Sequence, residues 1–164
     1  MRASTQARAL ATGAALVALA GAGAEPAEAQ ERLEGAWRVD ALIGPGSRLV
    51  DSPQPGLLLF VDGHYSYTFV TSEGPRPPLP IGPATAEALV DVWNPFTANA
   101  GTFEVSGDTM RRRPIVAKSP DAMAAGAFND YTFRIVADTL WVTPTGTEAG
   151  PTRNASTVRY VRAR

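Results

Sequence analysis

Three consecutive arginines, Arg111-Arg112-Arg113, are the residues of this chain best suited to hold an anion. A guanidinium grips a carboxylate or phosphate with paired N–H donors. In a strand the three side chains alternate. Met110, Arg112, Pro114 and Val116 then share a mainly apolar face, and Arg111 and Arg113 share the other with Ile115. On that reading Arg112 projects inward, where it would meet an acidic group of a ligand. The plainer expectation is a solvated strand with Arg112 snorkelling to water, because a buried arginine is costly without a partner.

Aromatic residues supply the other candidate contacts. Tyr65, Tyr67 and Phe69 alternate along one strand face, and Tyr131 and Phe133 along another; Phe103 sits mid-chain. Such rings either fill an interior or line a small cavity, and the phenol hydroxyls can orient a ligand. Tyr65, Tyr67, Phe69, Phe103, Arg112, Tyr131 and Phe133 are therefore the candidate ligand-binding residues. His64 is the only histidine, and it follows a tight turn. One imidazole with scattered carboxylates does not make a metal site. With no cysteine, thiolate catalysis and Cys-based zinc sites are excluded. No Ser-His-Asp grouping, P-loop or dinucleotide fingerprint occurs, so no cofactor or metal is expected.

The positioning elements are short strands. Trp37, Val39, Ala41 and Ile43 alternate before Gly44-Pro45-Gly46. Leu57 to Val61 and His64 to Thr71 flank Asp62-Gly63, a dipeptide suited to a two-residue hairpin turn. The proline-dense segment 74–83 cannot be a central strand. Thr85 to Trp93 is the one helical candidate, capped by Thr85 and ended by Asn94-Pro95. Strands then resume over 101–105, 109–117, 128–136, 139–143 and 157–162. About eight strands at hairpin spacing with one short helix predict an all-β fold, a closed antiparallel barrel, which leaves no free sheet edge.

The length of 164 residues is that of one domain, and 45% hydrophobic content is enough for a core. A net charge of -1 offers no excess cation for phosphate backbones or anionic lipid, which argues against nucleic-acid binding. Arg2 and Arg8 precede an uncharged run from Ala9 to Ala22, and Ala27-Glu28-Ala29 fits a cleavage site before Gln30. Residues 1–29 are thus expected to be a secretory signal peptide and 30–164 the mature domain. Ala22-Gly23-Ala24 is a second cleavage candidate. The apolar run is short of the ~20 residues of a membrane span, so no anchor is expected after cleavage. The product is expected in the periplasm or outside the cell.

Four segments together resemble a known family. They are Leu33-Glu34-Gly35-Ala36-Trp37-Arg38-Val39; Gly101-Thr102-Phe103-Glu104-Val105 with Gly107-Asp108; Leu140-Trp141-Val142-Thr143; and Tyr160-Val161-Arg162. In order and spacing they look like the bacterial and fungal lipocalin-like domain family of the calycin group, from about Leu33 to Arg162. The resemblance implies a lipocalin-like barrel that binds a small hydrophobic molecule. It also implies that Gly35 and Trp37 form the barrel floor, with a basic residue of the last strand over the indole. Arg162 is the matching position and Arg159 the alternative. Relatives often carry histidine after the turn at Asp108; Thr109-Met110-Arg111 stands here, which puts any histidine-dependent chemistry in doubt.

The leading expectation is an exported barrel holding a small, largely apolar molecule. An alternative is a cofactor-free isomerase or cyclase on the same scaffold, which needs Arg112 to converge with a tyrosine or carboxylate. A third is a partner-binding protein that uses the proline-rich loop 74–83.

Overall fold

The computed structural model describes residues 26–47, 49–50 and 53–164. The export signal expected over 1–29 lies outside these residues up to position 25. Helix α1 (Pro26–Leu33) is followed by β1 (Gly35–Ile43), a 3-10 turn (Pro45–Ser47), β2 (Leu49–Val50), β3 (Gly56–Val61) and β4 (His64–Val70). Helix α2 (Ala86–Trp93), β5 (Phe96–Ser106), β6 (Thr109–Ala117) and a second 3-10 turn (Pro120–Met123) come next. The chain ends with β7 (Asn129–Val136), β8 (Thr139–Thr147), β9 (Gly150–Pro151) and β10 (Thr157–Arg162).

Each strand pairs antiparallel with its neighbour in the order β10-β1-β3-β4-β5-β6-β7-β8, and β8 pairs back onto β10. That last pairing closes the sheet into a barrel. The two-residue strands β2 and β9 are additions to β1 and β8. Asp62 and Gly63 both adopt positive φ (46° and 72°), as a two-residue hairpin turn between β3 and β4 requires. Thr85 caps α2 through its side chain, which accepts from the Ala88 amide.

Two irregularities change which residues face inward. The β1–β10 register shifts between Val39 and Ala41, so Ile43 pairs with Thr157 and lines an outer groove with Trp141 and Thr143. The expected single face of Trp37, Val39, Ala41 and Ile43 therefore breaks at Asp40. The β5–β6 register shifts at Gly101, leaving Ile115 and Val116 both more than half exposed. Val116 accordingly leaves the face it was expected to share with Arg112. An alanine Cβ at Gly101 would lie 1.9 Å from the Arg113 carbonyl oxygen, so the bulge admits only glycine.

One end of the barrel is sealed by Trp37, which is fully buried with Leu33, Leu58, Phe60 and Leu140. Its indole Nε1–H donates to the Leu33 carbonyl at 2.7 Å. The Arg162 guanidinium lies 4.1 Å from the indole centroid and donates to the Glu34 and Arg32 carbonyls at 2.8 and 3.0 Å. Gly35, at φ 112°, allows this approach, since a Cβ there would meet Arg162 Nη1 at 3.1 Å. Arg159 is occupied elsewhere, donating to Asp40 at 2.6 Å.

Helix α1 completes the seal. Ala29 and Leu33 are buried, and Arg32 donates to the Ile135 carbonyl at 3.0 Å. The first residues of the expected mature domain, 30–33, belong to this helix, and the expected cleavage point after Ala29 falls within it.

Candidate functional site

Above this floor, strands β3, β4, β7 and β10 deliver aromatic side chains to one place, and β6 delivers an arginine. At its centre is Arg112, opposite Phe103 on β5 and Asn129 on β7. It is 3% exposed, so it does not snorkel to water as the plainer expectation had it. In a closed barrel an inward position in mid-wall has no free edge past which a long side chain can reach solvent. The guanidinium carbon lies 4.6 Å from the Tyr131 ring centroid, 5.0 Å from Tyr65, 5.3 Å from Phe60 and 5.9 Å from Tyr67. Tyr65 and Tyr67 are stacked at 6.4 Å with an interplanar angle of 18°. The Tyr65 hydroxyl donates to Asn99 Oδ1.

Charge pairing divides the arginines as strand alternation does. Arg111 Nε and Nη2 each donate to a different oxygen of Asp130 at 2.7 Å, and Arg113 lies 4.0 Å from Glu104. Arg112 has no such partner. Its Nε and Nη2 are buried and without a hydrogen bond among the described residues. A buried donor left unpaired normally costs on the order of 1–3 kcal/mol, and more when charged. Four rings around the cation offset part of that cost, each by roughly 0.5–2 kcal/mol at best.

Burial raises the tyrosine hydroxyls above their ordinary value of 10.0, against the pull of Arg112: Tyr160 to about 12, and Tyr65 and Tyr131 in the same direction. These phenols stay protonated at neutral pH and act as donors. Unfolding returns each toward its ordinary value. The unfolded chain therefore loses protons first as pH rises, and stability present below about pH 10 falls as pH climbs toward 12. The loss expected from Tyr160 alone is about 3 kcal/mol. In an alkaline titration, phenolate absorbance should rise together with the loss of near-ultraviolet circular dichroism. Ionisation of these three phenols near pH 10 in a folded protein would contradict the burial argument.

Among the other sequence candidates, Phe103 packs edge-on against Phe60 at 4.8 Å, behind the cage. Phe69 covers Gly56, where an added Cβ would come 2.5 Å from its ring and from Val39. Phe133 packs against the core and lines two grooves on the wall, one of them beside Ala29 and Arg32. His64 is exposed, its Nδ1 2.9 Å from the Asp62 carbonyl.

The sequence reading missed Phe60, Asn99 and Tyr160 as members of this group. Asn99 lies on β5, which begins at Phe96 and not at Gly101 as expected; it pairs with Tyr67. The alternation of Asn99, Gly101 and Phe103 was the available signal. At the loop end of the barrel a hollow of about 390 Å³ is lined by Leu42, Pro45, Val50, Pro53 and Thr71 among others.

No family model matches the chain, and no curated protein matches it. Among solved structures, a lipocalin-like protein from Bacteroides uniformis is similar at 9% identity and a TM-score of 0.47, over 80% of this chain and 98% of that one. An uncharacterized protein from Bacteroides eggerthii is similar at 9% identity and a TM-score of 0.44, over 80% and 99%. The fold rests on the chain's own strand order: an all-β, lipocalin-like antiparallel barrel closed between β8 and β10.

Proposed function

We propose that the barrel interior takes up a small, largely apolar molecule. The observation that carries this reading is convergence: all four tyrosines of the chain gather around one buried arginine in the barrel interior. Tyr67 and Tyr131 are partly buried, whereas Phe60, Tyr65 and Tyr160 are buried, so the cage is most open around the former pair. Native mass spectrometry of protein purified from its own compartment is expected to find a bound small molecule. Protein that carries none, and that binds no member of a panel of apolar compounds, would overturn the reading.

A cofactor-free isomerase or cyclase would draw on the same convergence of Arg112 with tyrosines. The phenols are held protonated and no carboxylate pairs with Arg112 among the described residues, so the cage supplies donors and not a strong base. Binding is the better supported of the two. In the loop 74–83, the third candidate, Arg76 donates to the Val92 carbonyl at 3.2 Å and lies over Phe96, while the rest of the segment is exposed.

The protein is proposed to act after export, in the periplasm or outside the cell. Cleavage before Gln30 would divide α1 and remove the buried Ala29 from the floor. The Ala22-Gly23-Ala24 site avoids this. Amino-terminal sequencing of the exported protein is expected to begin at Glu25, and a sequence beginning at Gln30 would contradict that assignment.

A further inference from the structure

We infer that the molecule held in the interior is an acid, and that its carboxylate seats on the Nε/Nη2 edge of Arg112. The inference rests on the binding reading above and specifies its ligand class. Nε and Nη2 are neighbouring donors on one side of a planar guanidinium. Together they form an edge that a carboxylate bridges with two parallel hydrogen bonds. They are also the two nitrogens of Arg112 that are buried and unpartnered among the described residues.

One residue away the protein shows what that edge takes. Arg111 donates from Nε to Asp130 Oδ1 and from Nη2 to Asp130 Oδ2, both at 2.7 Å. Alternation along β6 turns Arg111 outward to this carboxylate and Arg112 inward, where no carboxylate of the described chain pairs with it.

The surroundings select against other occupants. Tyr65 and Tyr131 remain protonated and bring no negative charge of their own; the Tyr65 proton is committed to Asn99, and the Tyr131 hydroxyl can donate to an anion. The rings of Phe60, Tyr65, Tyr67 and Tyr131 present apolar surface to the body of the ligand. A hydrocarbon would leave the two N–H donors unsatisfied, a neutral oxygen would pair with them without balancing the charge, and a second cation would be repelled. Trp37 and α1 seal the opposite end, so the apolar body extends toward the loop end, past the partly buried Tyr67 and Tyr131.

The test compares matched acids and alcohols: naphthoate with naphthalenemethanol, and decanoate with decanol. Binding is measured by calorimetry on the full-length mature protein at fixed salt. The acid of each pair is expected to bind about ten- to a hundred-fold more tightly than its alcohol, the contribution of a hydrogen bond to a charged group. Arg112→Met is expected to abolish that preference, so that each acid binds no more tightly than its alcohol. Arg112→Lys, which keeps the charge but loses the two-donor edge, is expected to show a reduced preference. Circular dichroism confirms that each variant is folded. Equal affinity for acid and alcohol, or a preference that survives Arg112→Met, would overturn the inference and leave the binding reading standing. Failure of all four compounds to bind folded wild-type protein would overturn both.

Discussion

Replacing Arg112 with methionine is expected to make the free protein more stable. Methionine has a similar reach, is apolar, and adapts to irregular spaces between rings. The substitution removes a buried charge whose Nε and Nη2 have no partner among the described residues. Replacing buried ionic groups with apolar residues of similar volume is often neutral or stabilising by about 1–4 kcal/mol. The ring contacts at 4.6 to 5.9 Å are lost as well, which places the expected gain at the lower end of that range. The check is urea unfolding: the midpoint should rise with no change in slope. A clear loss of stability would show that Arg112 is satisfied within the fold and is not held ready for a ligand. A residue that lowers stability where it stands is the pattern expected of a functional position.

The second large effect is at the floor. Trp37→Ala is expected to cost about 3–5 kcal/mol, the usual range for removing a large buried ring. Three losses coincide there. The indole's buried area goes; the Leu33 carbonyl loses its donor; and the Arg162 guanidinium loses the ring 4.1 Å beneath it. Against a typical total of about 5–15 kcal/mol, that is enough to leave a substantial unfolded fraction at body temperature. Trp37→Phe keeps most of the packing but not the Nε1–H donor, and should cost about 1–3 kcal/mol. Combining Trp37→Leu, which removes the ring, with Arg162→Met in a double-mutant cycle isolates the contact between cation and ring, expected at roughly 0.5–2 kcal/mol. A loss of under about 1 kcal/mol for Trp37→Ala would contradict a sealed floor.

Much of the barrel was legible because period-two alternation is a direct consequence of strand geometry. Tyr65, Tyr67 and Phe69 opposite Ser66 and Thr68, with Asp62-Gly63 before them, correspond to the observed β3–β4 hairpin. Thr85 marks the start of α2 for the same kind of local reason, a side-chain oxygen that satisfies an unpaired helix amide.

What escaped notice depends on non-local geometry. The register shifts beside Asp40 and Ile115 reverse the facing of later residues, and nothing in the local alternation announces them. The burial of Arg112 was the larger surprise. Arginine ordinarily finds water along its own stem, and only closure of the wall between β8 and β10 removes that route. Asn99 was hidden by Pro95, which ends α2 but does not prevent β5 from starting at the next residue. Helix α1 overlaps a segment whose small residues also fit a cleavage signal, so its structural role could not be separated from processing by sequence alone.

The most direct measurement is the side-chain Nε–H resonance of Arg112 in a nitrogen-labelled sample, assigned by its disappearance in Arg112→Met. Titration with naphthoate should shift this resonance markedly while that of Arg111, already paired with Asp130, stays in place. Titration with naphthalenemethanol should shift it little. An Arg112 resonance unmoved by saturating naphthoate, with shifts confined to residues of the loop-end hollow or the outer grooves, would contradict an acid seated inside the barrel.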